Sequence, residues 1–116
     1  MRMWIGVEVE KLCDQHLLGE HNEIHKFKSV FLKKHSIAGR VQYPAQISPA
    51  QMEDRHLELA IEMTERGFSH KSPYSLPDLS HLTAQEQYPI VDEEYNLIDL
   101  YDRCPNCRKR IDAKSA

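Results

Sequence analysis

Long apolar runs are absent from this sequence of 116 residues. None approaches the ~18–20 residues that a membrane-spanning helix requires, so no membrane partner is expected. Met1 to Glu10 has neither the apolar h-region nor the small-residue cleavage site of a signal peptide. Cysteine is scarce and odd in number, three, with two of them only three positions apart. Without an export signal, reduced thiols in a cytoplasmic protein are expected in place of a disulfide framework. An overall basic excess is also missing: 15 Lys and Arg against 18 Asp and Glu leave a net charge of −3. No internal repeat or low-complexity tract is present. What is there is 41% hydrophobic and 28% charged, an ordinary globular composition, and the length fits one domain, 1–116, with one modest core.

The charges are segregated. His25 to Tyr43 carries Lys26, Lys28, Lys33, Lys34 and Arg40 without a carboxylate, and Val91 to Asp102 carries five carboxylates without Lys or Arg. Arg103, Arg108, Lys109 and Arg110 make the tail, 103–116, basic again. Such a distribution steers a polyanion to one face of an acidic molecule, or simply solvates helix surfaces.

Three helices can be read, giving an all-α fold with long Pro/Ser-rich connectors. Cys13, Leu17, Ile24, Phe27 and Phe31 recur at helical spacing and predict a first helix from about Val9 to about His35. Ser48-Pro49 reads as an N-cap and first turn, opening a second helix to Arg66 that faces Met52, His56, Leu59 or Ala60, and Met63 inward and stops at Gly67. Phe68 to Leu82 is a turn-rich loop, and Thr83-x-x-Glu86 forms a capping box before Pro89. A third helix spans Asp92 to Tyr101, with Tyr95, Ile98 and Asp102 in line.

His16, Glu20 and Glu23 fall on one line of the first helix, at the border of its apolar stripe. A carboxylate at a core edge is desolvated and its pKa rises, which suits acid–base work. The same spacing is also common on plain helix surfaces.

The stretch Leu12 to Ile24, LCDQHLLGEHNEI, resembles the first helix of phage-type pyrimidine-dimer DNA glycosylases, also called endonuclease V. Two further blocks follow in that family's order: Gly39-Arg40-Val41 with Ile47-Ser48-Pro49 is similar to its connector, and Arg55 to Leu59 leading to Glu65-Arg66-Gly67-Phe68 to the end of its second helix. The resemblance covers roughly residues 1–80. It implies a glycosylase with coupled abasic-site lyase activity, acting as a monomer on double-stranded DNA that holds a lesion or abasic site, with no cofactor required for catalysis.

The resemblance also assigns roles. The nucleophile is the chain's own α-amine, whose ordinary pKa near 7.7–8.0 leaves part of it unprotonated at neutral pH. Here that is Met1, which the bulky Arg2 after it should leave in place. The family's glutamate falls on Glu23. Arg2, Gln15, His16, Asn22, Lys26, Lys33 and Arg40 are the substrate-binding residues, with Arg2, His16, Asn22 and Lys26 around the lesion. Asn22 and Lys26 stand where the family has arginines, the second helix is shorter, and the family's aromatic, basic C-terminal segment has no counterpart.

Cys104-Pro-Asn-Cys107 looks like one knuckle of a zinc ribbon. A structural site needs four ligands. Cys13 and His16 would supply the other two only if the tail packs against the first helix, which would take His16 from the catalytic site. His21 and His25, four positions apart, are other partners, and without any of them the pair is an unliganded turn. Two rival readings stay open. One is a non-catalytic DNA- or protein-binding module stapled by zinc at Cys104 and Cys107. The other is a metal-dependent nuclease using His16, Glu20 and Glu23.

Overall fold

The structure, a computed structural model, describes residues 2–69 and 73–115. The described residues form α-helices and short 3-10 turns, with no strand. Five α-helices are present where three were expected: α1 (Asp14–Leu32), α2 (Met52–Glu65), α3 (Ala84–Gln87), α4 (Glu93–Arg103) and α5 (Pro105–Ser115). The molecule measures 44 × 32 × 17 Å. Its thin dimension is less than two helix diameters, so one bundle layer and its covering segments make up the whole.

The apolar stripe of α1 lies where its period places it. Leu17, Ile24, Phe27 and Phe31 are buried and meet Met52, Leu59 and Met63 of α2. The N-terminal boundary differs from the sequence expectation. Val9–Lys11 forms a separate 3-10 turn, and Cys13, in extended conformation, caps α1 by accepting the His16 N–H. A side-chain acceptor at Cys13 starts the helix at Asp14, five residues later than hydrophobic spacing alone indicates. Helix α2 likewise follows a 3-10 turn at Pro49–Gln51, with the Ser48 hydroxyl bonded to Gln51 and making no cap. Gly67, at φ +89°, supplies the left-handed residue that stops α2.

Thr83 and Glu86 form the expected reciprocal capping box at α3. Helix α4 begins at its Asp92 cap, but its orientation corrects the reading above. Tyr95, Ile98 and Asp102 face outward, while Asn96 and Leu100 are buried. The Asn96 amide donates to the Ile5 carbonyl at 2.9 Å, so a polar residue holds the inner face and hydrophobicity alone misplaces it by one position. The basic tail forms a further helix, α5, which packs on α4 and on the 3-10 turn at Val9–Lys11.

Arg55 of α2 and Arg66, the residue that follows that helix, fix the N-terminal segment. Arg55 donates to the carbonyls of Trp4 and Val7, and Arg66 to those of Val9 and Glu10. Met3 adds a backbone bond to Gln46 at 2.8 Å. The extended chain before α1 is thereby held across one end of the helical pair.

Candidate active site and the cysteine cluster beside it

The clamped segment, the first turns of α1 and the end of α4 enclose a cleft of about 540 Å³. Arg2, Trp4, Gln15, His16, Gly19, Glu20, Gln46 and Arg103 line it. Three of the expected binding residues, Arg2, Gln15 and His16, therefore meet in one place. Met1 lies outside the described residues; Arg2 is its immediate neighbour in the chain. The Arg2 guanidinium stacks 4.0 Å from the centre of the Trp4 ring and donates to Asp99 at 2.6 Å. Arg103 shares Asp99 at 3.2 Å and faces the same Trp4 ring.

Glu23 is half-buried on α1, two turns beyond His16 and nearly in line with it. That offset is about 10 Å along the helix axis. Glu23 lies on the side of α1 that floors the cleft but outside the residues lining it. Asn22, Lys26 and Lys33 are exposed and fall within about 40° of one another and of Gln15 around α1. They form a polar and basic rail beside Glu23. Arg40, on the connector after α1, sits 5.6 Å from the ring of Phe27.

Glu20 does not join an acid–base row. It is buried, and both of its carboxylate oxygens accept from Arg55, at 2.6 and 3.1 Å. Its charge is consumed by the clamp. Burial, with the nearby Arg103 cation, lowers the pKa of His16 from its ordinary value, so its ring is neutral near pH 7.

The tail packs against α1, and Cys104 and Cys107 meet Cys13 and His16. One ligand atom from each of the four lies within 4.8 Å of every other. Burial pushes the Cys107 thiol up. For Cys104 burial acts upward as well, but the Cys107 N–H and thiol, the Cys13 thiol and the Asn106 N–H outweigh it and bring that thiol down. A second group, His21, His25 and His56, lies under Tyr74, with the Nε2 atoms of His25 and His56 3.0 Å apart. Burial, aided by Glu53, pushes the Tyr74 phenol up to about 12.

Trp4, Gln46, Asp99 and Arg103 are cleft residues, or direct partners of one, that sequence reasoning missed. Arg103 adjoins the cysteine pair, and Trp4, the single tryptophan, stands two positions after Arg2; those were the available signals. Asp99 and Arg103 come from α4, far along the chain from the segment they contact. No helix among the described residues is long and apolar enough to cross a membrane.

The family model of pyrimidine dimer DNA glycosylases matches residues 1–76. That span holds every cleft residue except Arg103. No curated protein and no solved structure gives a significant match.

Proposed function

Because the chain belongs to the pyrimidine dimer DNA glycosylase family, whose substrate is DNA, we propose that it excises damaged pyrimidines such as dimers from the duplex and then cleaves the abasic strand through its own α-amine. The observation that supports this reading is the cleft itself: its first wall residue is Arg2, and its floor runs along α1 toward Glu23. Successive Cα atoms across a trans peptide are 3.8 Å apart, so an amine on Met1 is tethered to a residue of the cleft.

The chemistry proceeds in two steps. The unprotonated amine attacks C1′ of the damaged nucleotide; the C1′–N bond breaks, and the base leaves with the bonding pair and a proton. The C1′–O4′ bond then opens as the nitrogen gives up a proton and O4′ takes one, and the resulting imine, protonated, draws electron density from C2′. Loss of the C2′ proton forms a C=C bond, and the C3′–O bond breaks with departure of the phosphate. Glu23, next to the cationic sugar, stabilises positive charge and relays protons. His16, neutral near pH 7, and Gln15 offer hydrogen bonds to the damaged nucleotide, while Arg2, Asn22 and Lys26 face its phosphates. Lys33 extends the same contact along the strand, and Arg40, over the Phe27 ring, adds a further cation for the backbone. The enzyme acts as a monomer in the cytoplasm, and no step passes through a cofactor.

Borohydride reduction during incubation with duplex DNA containing a cyclobutane dimer or an abasic site tests the proposal. The expected result is a covalent protein–DNA adduct whose crosslink maps to the amino-terminal peptide. Glu23→Gln should abolish excision at the dimer. A chain whose α-amine is acetylated, yet still forms the adduct, overturns the mechanism. Tight binding of damaged duplex without nicking or trapping would instead identify a non-catalytic DNA-binding module.

A further inference from the structure

We propose that Cys13, His16, Cys104 and Cys107 hold one structural zinc ion, which welds the C-terminal helices to the start of α1 beside the cleft. The inference stands on geometry and is independent of the glycosylase reading.

Three edges among the four ligand atoms match those of a zinc tetrahedron, and all four atoms lie within 4.8 Å of one another. Zinc–sulfur bonds of about 2.3 Å and zinc–nitrogen bonds of about 2.05 Å at tetrahedral angles set sulfur–sulfur edges of about 3.8 Å and sulfur–nitrogen edges of about 3.6 Å. The Sγ atoms of Cys13 and Cys104 are 3.9 Å apart, and His16 Nδ1 is 3.3 Å from Cys13 Sγ and 3.5 Å from Cys107 Sγ. A disulfide needs about 2.05 Å, so this spacing holds thiols apart around a common centre. All three cysteines are free and buried.

The surroundings are those of a thiolate site. The Cys13 N–H points at Cys107 Sγ at 3.2 Å, the Cys107 N–H at Cys104 Sγ at 3.4 Å, and the His16 N–H at Cys13 Sγ at 3.5 Å. Such donors steady anionic sulfur and orient the ligands. The two halves also repeat one construction. Cys13 immediately precedes α1 and Cys104 immediately precedes α5, and each is followed three residues later, inside the first turn, by the second ligand of its pair. Two helix N-termini thus converge on a centre that three thiolates, one imidazole and Zn²⁺ would leave with a net single negative charge. A shallow pocket lined by Cys13, Asp14, Gln15, Asn106 and Arg110 gives the ion a way in. Four protein ligands close the coordination sphere, so the ion is structural and takes no substrate.

The consequence concerns the cleft. With Nδ1 on the metal, the His16 ring is fixed and presents its Nε2–H as a donor. The metal also locks the end of α4, and with it Asp99 and Arg103, against Arg2 and Trp4. Helices α4 and α5 thereby supply a metal-fastened wall to the cleft.

The full-length chain, purified without chelator, should contain zinc by elemental analysis, and Cys107→Ser should lose one equivalent per chain. His56→Ala should retain that equivalent, and His16→Cys should also retain it, since a fourth thiolate replaces the imidazole. If Cys107→Ser does not fold, cobalt(II) exchanged into the wild-type chain decides: thiolate-to-cobalt charge transfer with intense tetrahedral d–d bands is expected. Absence of those bands overturns the proposal. So does zinc that survives Cys107→Ser but is lost from His56→Ala, which would put the ion at the histidine group.

Discussion

Arg55 of α2 grips both carboxylate oxygens of Glu20 on α1 and, with the same guanidinium, the carbonyls of Trp4 and Val7. One buried fork therefore joins the two main helices to the segment that opens the cleft. Cutting it leaves the surviving charge without a partner in the interior. Glu20→Gln and Arg55→Ala are each expected to cost about 3–5 kcal/mol in urea unfolding. Arg55→Lys should not rescue, because an ammonium cannot make the two-pronged contact or reach the carbonyls together with it. Activity at temperatures where these variants are folded should also fall, since the N-terminal segment loses its anchor.

Gly6 holds a backbone conformation that other residues avoid, at φ +93°, and a Cβ added there would lie 2.3 Å from Glu93 Cβ and 2.9 Å from Glu93 Cα. The close approach lets the segment pass the first turn of α4, where Asn96 takes the Ile5 carbonyl. Gly6→Ala introduces both a strained φ and a clash with backbone. A loss of more than about 1 kcal/mol is expected by denaturant titration. Gly39→Ala is the control, since open space surrounds that position.

Tyr43 and Asp92 tie the connector after α1 to the cap of α4 through a 2.5 Å hydrogen bond. The Tyr43 hydroxyl, followed by the Tyr95 N–H, holds the Asp92 carboxyl below its ordinary value, and the same bond raises the Tyr43 phenol. A depressed carboxyl stabilises the fold above its unfolded pKa of about 3.9 and loses that contribution as pH falls through the folded value. A raised phenol contributes below its unfolded pKa of about 10 and loses it as pH climbs through the folded value. The stability difference between wild type and Tyr43→Phe should thus be flat between about pH 5 and 9 and shrink on both sides. A difference that persists unchanged at pH 2 would show that the pair is not proton-linked.

The parts of this architecture that were legible in the sequence are those written in local spacing. The α1 stripe from Leu17 to Phe31, the inward face of α2, the Gly67 stop and the Thr83–Glu86 capping box all depend on neighbours within a few positions. What escaped depends on long-range polar contacts. Asn96 turns α4 by bonding Ile5, Glu20 is neutralised by Arg55, and the CxxC tail becomes a helix whose packing decides for Cys13 and His16 among the ligand sets the sequence leaves open. In each case the partner lies dozens of positions away, and no periodicity encodes that. The cleft was half legible for the same reason. Its α1 floor carries a motif, whereas Asp99 and Arg103 arrive only through the packing of α4.

The rail formed by Gln15, Asn22, Lys26 and Lys33 spans about 27 Å of α1, comparable to roughly eight phosphates at 3.4 Å spacing along one strand. Contacts of this kind set affinity and its salt dependence without reading sequence. Removing one, in Lys26→Ala, should weaken binding to every damaged duplex by a similar factor and reduce the slope of log K against log salt by about 0.9. Asn22→Arg should increase that slope by the same amount, because it adds a guanidinium next to Glu23 on the exposed side of the helix. Fluorescence anisotropy over a salt series measures both. A slope unchanged in Lys26→Ala and Asn22→Arg alike would place the DNA on another face of the protein. The cleft would then have to receive its nucleotide from the side of Arg103 and the cysteine cluster.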